Sequence, residues 1–124
     1  MSCRHAAGTL ALVVSEDRTD KERVASNEAT FRRINESVES DYAETNYAGL
    51  IGFLCECGHS DCEETIQMNR REYESVRTNP RRFAVIGDHA IGTTEDIVEG
   101  HQRYAVVEKH EDVADLVERS DPRR

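Results

Sequence analysis

Three of the chain's four cysteines fall within eight residues, as Cys55-Glu-Cys57-Gly-His-Ser-Asp-Cys62. A C-x-C-x4-C cluster of this density restricts the fold more than anything else in the sequence. Thiols this close either chelate a metal, pair locally, or stay free, and chelation is the reading their spacing favours. The cluster is too compact for the dispersed framework of a secreted disulfide scaffold, and the one remaining cysteine, Cys3, lies far from it. A reducing cytoplasm is therefore the expected compartment.

The flanking residues place the cluster on a hairpin. Phe53 to Cys57 reads as a strand, Gly58-His-Ser-Asp61 as a tight turn in which glycine can take positive φ, and Glu64 to Met68 as the returning strand. Thr65 and Gln67 alternate with Ile66 and Met68, the period-two pattern of a half-buried strand. Three thiolates then meet without long-range folding. Zinc usually takes four tetrahedral Cys or His donors, so a fourth is needed.

His59 lies inside the turn, where it would have to close a very short chelate ring. His89 follows the strand Phe83–Ile86 in the glycine-flanked loop Gly87 to Gly92, from which a side chain can reach the hairpin tip. His101 and Cys3 are more remote. The expected metal ligands are Cys55, Cys57, Cys62 and His89, with Zn2+ as the ion. Glu56, Glu63 and Glu64 lie near the thiols, but three thiolates leave a metal little Lewis acidity, and the H-x-E and C-x-x-C pattern of zinc deaminases is absent. No serine sits in a nucleophile elbow, and Gly87 to Gly92 lacks the lysine of a phosphate loop.

Upstream, Thr19 or Asp20 can cap a helix with apolar residues at Val24, Phe31, Ile34, Val38 and Tyr42. The spacing predicts an amphipathic arm of roughly 22 residues that buries this stripe and exposes Glu36 on the opposite face. The expected division is a flexible segment over 1–18, the helical arm over 19–48, and a small zinc-binding domain over 49–124. The stripe is too short for a long coiled coil, so it packs within the chain or in a homodimer paired through this helix. Downstream, Asn69 caps a helix to Arg77, Glu95 to Glu99 is a brief linking turn, Tyr104 to Glu108 is a strand, and Asp112 to Arg119 is a closing helix. The expected fold class is α+β, a small antiparallel sheet with a zinc-binding hairpin, the long N-terminal helix and short flanking helices.

Length and charge set outer limits. A chain of 124 residues suits one small domain, for which a structural metal is a common supplement. The net charge of -9 is spread along the chain, with 6 Lys+Arg against 9 Asp+Glu in residues 1–50 and 10 against 16 in residues 51–124. Without a cationic footprint, nucleic acid is a poor partner. The apolar run Ala6 to Val14 is short for a signal peptide and has no small-x-small cleavage site after it, and no stretch is long enough to span a bilayer. Fourteen of the sixteen basic residues are arginine, which points to a GC-rich genome.

Taken together, Asn27-Glu28 with Phe31-Arg32 and Asn35-Glu36, the cysteine cluster, Glu72-Tyr-Glu with Val76-Arg77, Pro80 and Phe83, His89, Tyr104 to Lys109, and Asp121-Pro-Arg123 give the chain a further likeness. It resembles a group of small uncharacterised actinobacterial proteins over about residues 27–124. The group's usual Pro-Gly-His loop corresponds here to Gly87-Asp88-His89, and its position equivalent to His59 is commonly not histidine. The resemblance implies His89 as the fourth ligand and implies no activity. The function expected is that of a structural zinc module, not an enzyme, that regulates or adapts through contact with an unidentified protein partner. A zinc or thiol redox sensor is the alternative, and a metal-dependent enzyme a more distant one.

Overall fold

The computed structural model describes residues 9–59, 61–92 and 94–123, with side chains from residue 21 onward. The chain is α+β: α1 (Thr9–Glu44), β1 (Ile51–Leu54), β2 (Thr65–Met68), α2 (Arg70–Arg77), β3 (Arg82–Val85), a 3-10 turn (Gly87–His89), β4 (Glu95–Gly100), β5 (Ala105–Lys109) and α3 (Glu111–Arg119). The expected hairpin forms, with β1 and β2 antiparallel in the register Phe53↔Ile66 and Leu54↔Thr65. It does not join the remaining strands in one ladder. A separate three-stranded antiparallel sheet has the order β3-β5-β4.

Alternation explains how this second sheet divides the core. Successive strand residues point to opposite faces, so β3 sends Ala84 one way and Phe83 and Val85 the other. Ala84, Tyr104 and Val106 pack with Ile51, Phe53, Ile66, Met68, Tyr73 and Val76 of the hairpin and α2. Phe83, Val85, Ala105 and Val107 pack with Ala25 of α1, Val117 of α3, and Cys55 and Cys57. Phe53 and Tyr73 stack with ring centroids 4.6 Å apart. Helix α2 has the expected cap and more: the Asn69 side chain accepts from Glu72 N–H while Glu72 accepts from Asn69 N–H, a complete capping box.

Three expectations are corrected. Helix α1 runs unbroken through Thr19 and Asp20 from Thr9 onward, so neither residue caps it. Residues 1–8, including Cys3, lie outside the described residues. The expected linking turn Glu95 to Glu99 is the edge strand β4, paired to β5 with a bulge between Ile97 and Glu99. Adjacent Ile97 and Val98 are both exposed, so no period-two signal marked it.

The third correction concerns the face that α1 buries. Ile34 and Tyr42, assigned to an inward apolar stripe, are exposed, and Phe31 and Val38 are only half-buried. The buried face is Ala25, Glu28, Ala29, Arg32 and Asn35. Glu36, assigned to the outer face, accepts from the Tyr73 hydroxyl and from Arg77 Nε, both at 2.8 Å, and from Arg123 Nε at 2.7 Å. The physical reason is partner supply. Arg32 lies 3.7 Å over the Phe83 ring, donates to Pro80 O at 3.0 Å and to Arg82 O, and approaches Asp121 at 3.6 Å. A buried guanidinium with this many acceptors outcompetes an isoleucine for the interior.

Candidate metal centre

The hairpin carries the cysteines toward β3. Beyond β1 the ladder continues, with Cys55 N–H donating to Glu64 O at 3.0 Å, while Glu56 N–H turns the other way and donates to Ala84 O at 2.9 Å. Gly58 then takes φ +83°, and Cys62 N–H closes the turn onto His59 O at 3.1 Å. On the facing side, β3 ends at Val85 and the 3-10 turn Gly87–His89 begins, with His89 N–H donating to Ile86 O at 2.8 Å. That turn presents the His89 imidazole to the thiols.

The four expected ligands come together. One donor atom from each of Cys55, Cys57, Cys62 and His89 lies within 4.8 Å of the others, a grouping compatible with a metal ion. His89 Nδ1 is 3.5 Å from Cys55 Sγ and 3.6 Å from Cys62 Sγ. Its Nε2 faces away from the thiols, 3.9 Å from Asp88 Oδ1, beyond hydrogen-bond distance. His59 is not among the four. It is exposed, and its Nε2 lies 3.2 Å from the His89 carbonyl oxygen, so it touches the backbone of the ligand loop.

Backbone donors reach all three sulfurs. Ile86 N–H donates to Cys55 Sγ at 3.2 Å, and backbone N–H groups of His59 and Glu64 point at Cys57 and Cys62. Hydrogen bonds to sulfur stabilise its charged form. Without a cation the three sulfurs share protons unequally. The hydrogen bond from Cys55 holds Cys57 well below the ordinary thiol range, that same bond together with burial pushes Cys55 up, and burial pushes Cys62 up. A cation replaces those protons, so binding at this cluster releases them and weakens as pH falls.

One residue that matters here has no ligand role. Glu56, between the two inner cysteines, is fully buried and turned away from them. Its Oε1 accepts from Ala84 N–H at 3.1 Å and its Oε2 from Asn35 Nδ2 at 2.9 Å. The sequence signal was present in its position, since alternate residues of an extended chain face opposite ways. It was masked by the abundance of acids near the thiols. A comparison of the chain with family models, curated proteins and solved structures finds no match. Among the described residues, no helix is long and apolar enough to cross a membrane.

Proposed function

We propose that the chain is a structural zinc module of a reducing cytoplasm, with Zn2+ held by the sulfurs of Cys55, Cys57 and Cys62 and by Nδ1 of His89, and that it acts as a regulatory or adaptor protein. One observation carries the metal. With Zn–S of about 2.3 Å and Zn–N of about 2.0–2.1 Å, a tetrahedral centre has S···N edges of roughly 3.5–3.6 Å. The His89 contacts of 3.5 and 3.6 Å match those edges. Three soft thiolates and one imidazole are also a donor set that selects zinc over harder cations.

The module's role is to join parts that the backbone leaves separate. A metal on these ligands ties the hairpin, the turn carrying Cys62, and the loop after β3. Adaptor function is supported by surface chemistry: Ile97 and Val98 stand exposed on the outer strand β4, whose free edge can accept a strand from a partner. The actinobacterial resemblance assigns the same four ligands and adds no activity.

Metal analysis tests the first half. Protein purified without chelator from zinc-supplemented cells should carry about one zinc per chain, and less than about a third of an equivalent defeats the proposal. His89→Ala should lower zinc affinity and melting temperature far more than His59→Ala. Equal losses would move the fourth ligand into the hairpin turn. For the adaptor role, a partner captured by the wild-type chain should be lost from Ile97→Asp; retention by that variant removes β4 as the contact.

A further inference from the structure

We infer that metal occupancy of the Cys55, Cys57, Cys62 and His89 centre governs how tightly α1 docks, making the helix a metal-responsive arm. The inference rests on the centre binding a divalent cation, as proposed above. It follows from what lies on the two sides of one short segment. Residues 54–58 send Cys55 and Cys57 to the metal side, while Leu54, Glu56 and Gly58 supply most of the bonds that α1 makes to the hairpin.

These bonds are specific. The Asn35 amide engages Leu54 as a neighbouring strand residue would, accepting from Leu54 N–H at 2.8 Å and donating to Leu54 O at 3.0 Å. The same amide nitrogen donates to Glu56 Oε2 at 2.9 Å. About two turns earlier, Asn27 Nδ2 donates to Gly58 O at 2.9 Å. The fit at Gly58 is steric as well: a Cβ there would sit 2.6 Å from Val24 Cγ1 and 3.0 Å from Glu28 Cγ, and φ of +83° already disfavours other residues.

Docking of this kind depends on position. The buried apolar residues of α1, among those described, are Ala25 and Ala29, with half-buried Val38 packed against the hairpin core, so non-directional burial is only part of what holds the helix to the hairpin. An apolar seam tolerates sliding by an ångström. Hydrogen bonds of 2.8–3.0 Å lose much of their strength once stretched beyond about 3.5 Å or bent below about 120°. With the cation gone, nothing covalent or coordinate ties Cys55 and Cys57 to Cys62 and His89. The segment 54–58 then keeps its hydrogen bonds to Glu64, Ala84 and Ile86 but can shift against them, and each of the four bonds just named is anchored on it.

A second group of contacts keeps the arm tethered. Arg32 reaches Pro80 and Arg82, and Glu36 reaches Tyr73 and Arg77, none of them in the chelating segment. Metal loss therefore loosens α1 without detaching it. Linkage is reciprocal: if metal tightens the helix, the helix tightens the metal by the same factor. Asn35 and Glu56 are thus positioning residues for the centre, although neither touches it.

Hydrogen exchange on the full chain, zinc-loaded and zinc-stripped, tests this directly, with zinc content measured on the same samples. Amides over residues 22–40 should exchange at least about tenfold faster without zinc, while those of β5 change by less than about threefold. Zinc affinity, read by competition with a chromophoric chelator, should fall about 10- to 100-fold in Asn35→Ala, the range typical of lost outer partners at metal sites. Ile34→Ala, on the exposed face of the same helix, should leave it unchanged. The tetrahedral absorption of the cobalt-loaded Asn35→Ala variant should persist, which excludes loss of the site itself. A chain that binds one zinc yet shows equal α1 exchange with and without it overturns the inference. Loosening of α1 and β5 by the same factor overturns it too, because the response is then global unfolding. A chain that takes up no metal overturns the metal proposal itself, and the arm falls with it.

Discussion

The cysteine hairpin and the buried face of α1 lie against each other and obey different rules. The hairpin is apolar and periodic, and its special chemistry is concentrated in a short run of sequence. The helix face is polar, and each of its buried groups is matched by a partner far along the chain: Asn35 by Leu54 and Glu56, Arg32 by Pro80 and Arg82, and Glu28 by Lys109 at 2.6 Å. A site assembled from near neighbours depends on spacing. A surface assembled from distant acceptors depends on the tertiary structure, and an apolar stripe is then a poor guide to which side faces in.

The largest effect should come from the hairpin. Cys57→Ser removes a ligand that is fully buried, and it should abolish stoichiometric zinc binding and lower the melting temperature more than any helix substitution named here. A melting temperature within a few degrees of wild type would show that the centre contributes little to stability. Next is Arg32→Ala, which takes the donor from two backbone carbonyls and empties the space over Phe83, while Asp121 keeps its bonds from Arg77 and from Arg123 N–H. Each buried acceptor left without its donor costs about 1–3 kcal/mol. Urea unfolding should show it, and a loss under about 1 kcal/mol would mean that the polar face is not what holds the helix.

A smaller and distinctive effect is pH dependence at Glu28. Burial pushes this carboxyl from 4.5 up to about 8, opposed by Lys109. Lys109 Nζ stands between Glu28 Oε2 at 2.6 Å and Glu95 Oε1 at 2.5 Å, and neither Glu28 oxygen has a well-directed hydrogen-bond donor. A raised carboxyl pKa means that the folded state keeps a proton the unfolded state has lost. Its contribution is constant below about pH 4.5, declines as pH rises, and levels off above about 8. The slope between those limits is at most about 1.4 kcal/mol per pH unit. Melting of the zinc-saturated wild type, referred to Glu28→Gln so that the shared metal term cancels, should show the wild type losing ground between pH 5 and 8. Parallel profiles would show that Glu28 is not the group responsible.

The smallest expected effect is the sharpest check on the helix. Ile34→Asp adds a charge at an exposed position, so it should shift stability by no more than about 0.5 kcal/mol. A loss above about 2 kcal/mol would restore the apolar stripe as the docking face, through contact with a second copy of the chain.

Much of this molecule was legible before its coordinates. The two hairpin strands, the Asn69 cap, the strands around Phe83 and Val106, the closing helix, and the convergence of His89 with three thiols all followed from local pattern and side-chain chemistry. What was not legible shares one property. The inward turn of Glu28, Arg32, Asn35 and Glu36 is set by acceptors that come near only after folding. The edge strand β4 draws its order from pairing with β5, since its own residues have neither a buried face nor a regular alternation. The N-terminal limit of α1 was placed by a capping residue that the helix passes through, because Thr and Asp are tolerated within a helix whose neighbours continue it.

The centre is one-sided. Cys55 and Cys57 are 1% and 0% exposed, whereas Cys62 is half-buried and the His89 side chain is 27% exposed. Traffic with solvent therefore has a direction. An incoming chelator, an acceptor protein or an alkylating reagent meets the outer pair first, because the inner pair is shielded by the surrounding core. For the zinc centre proposed above, exchange kinetics would accordingly be set by how readily Cys62 and His89 let go, whatever affinity the four confer together. A substitution at that rim can change the lifetime of a bound ion severalfold while leaving the depth of the site untouched.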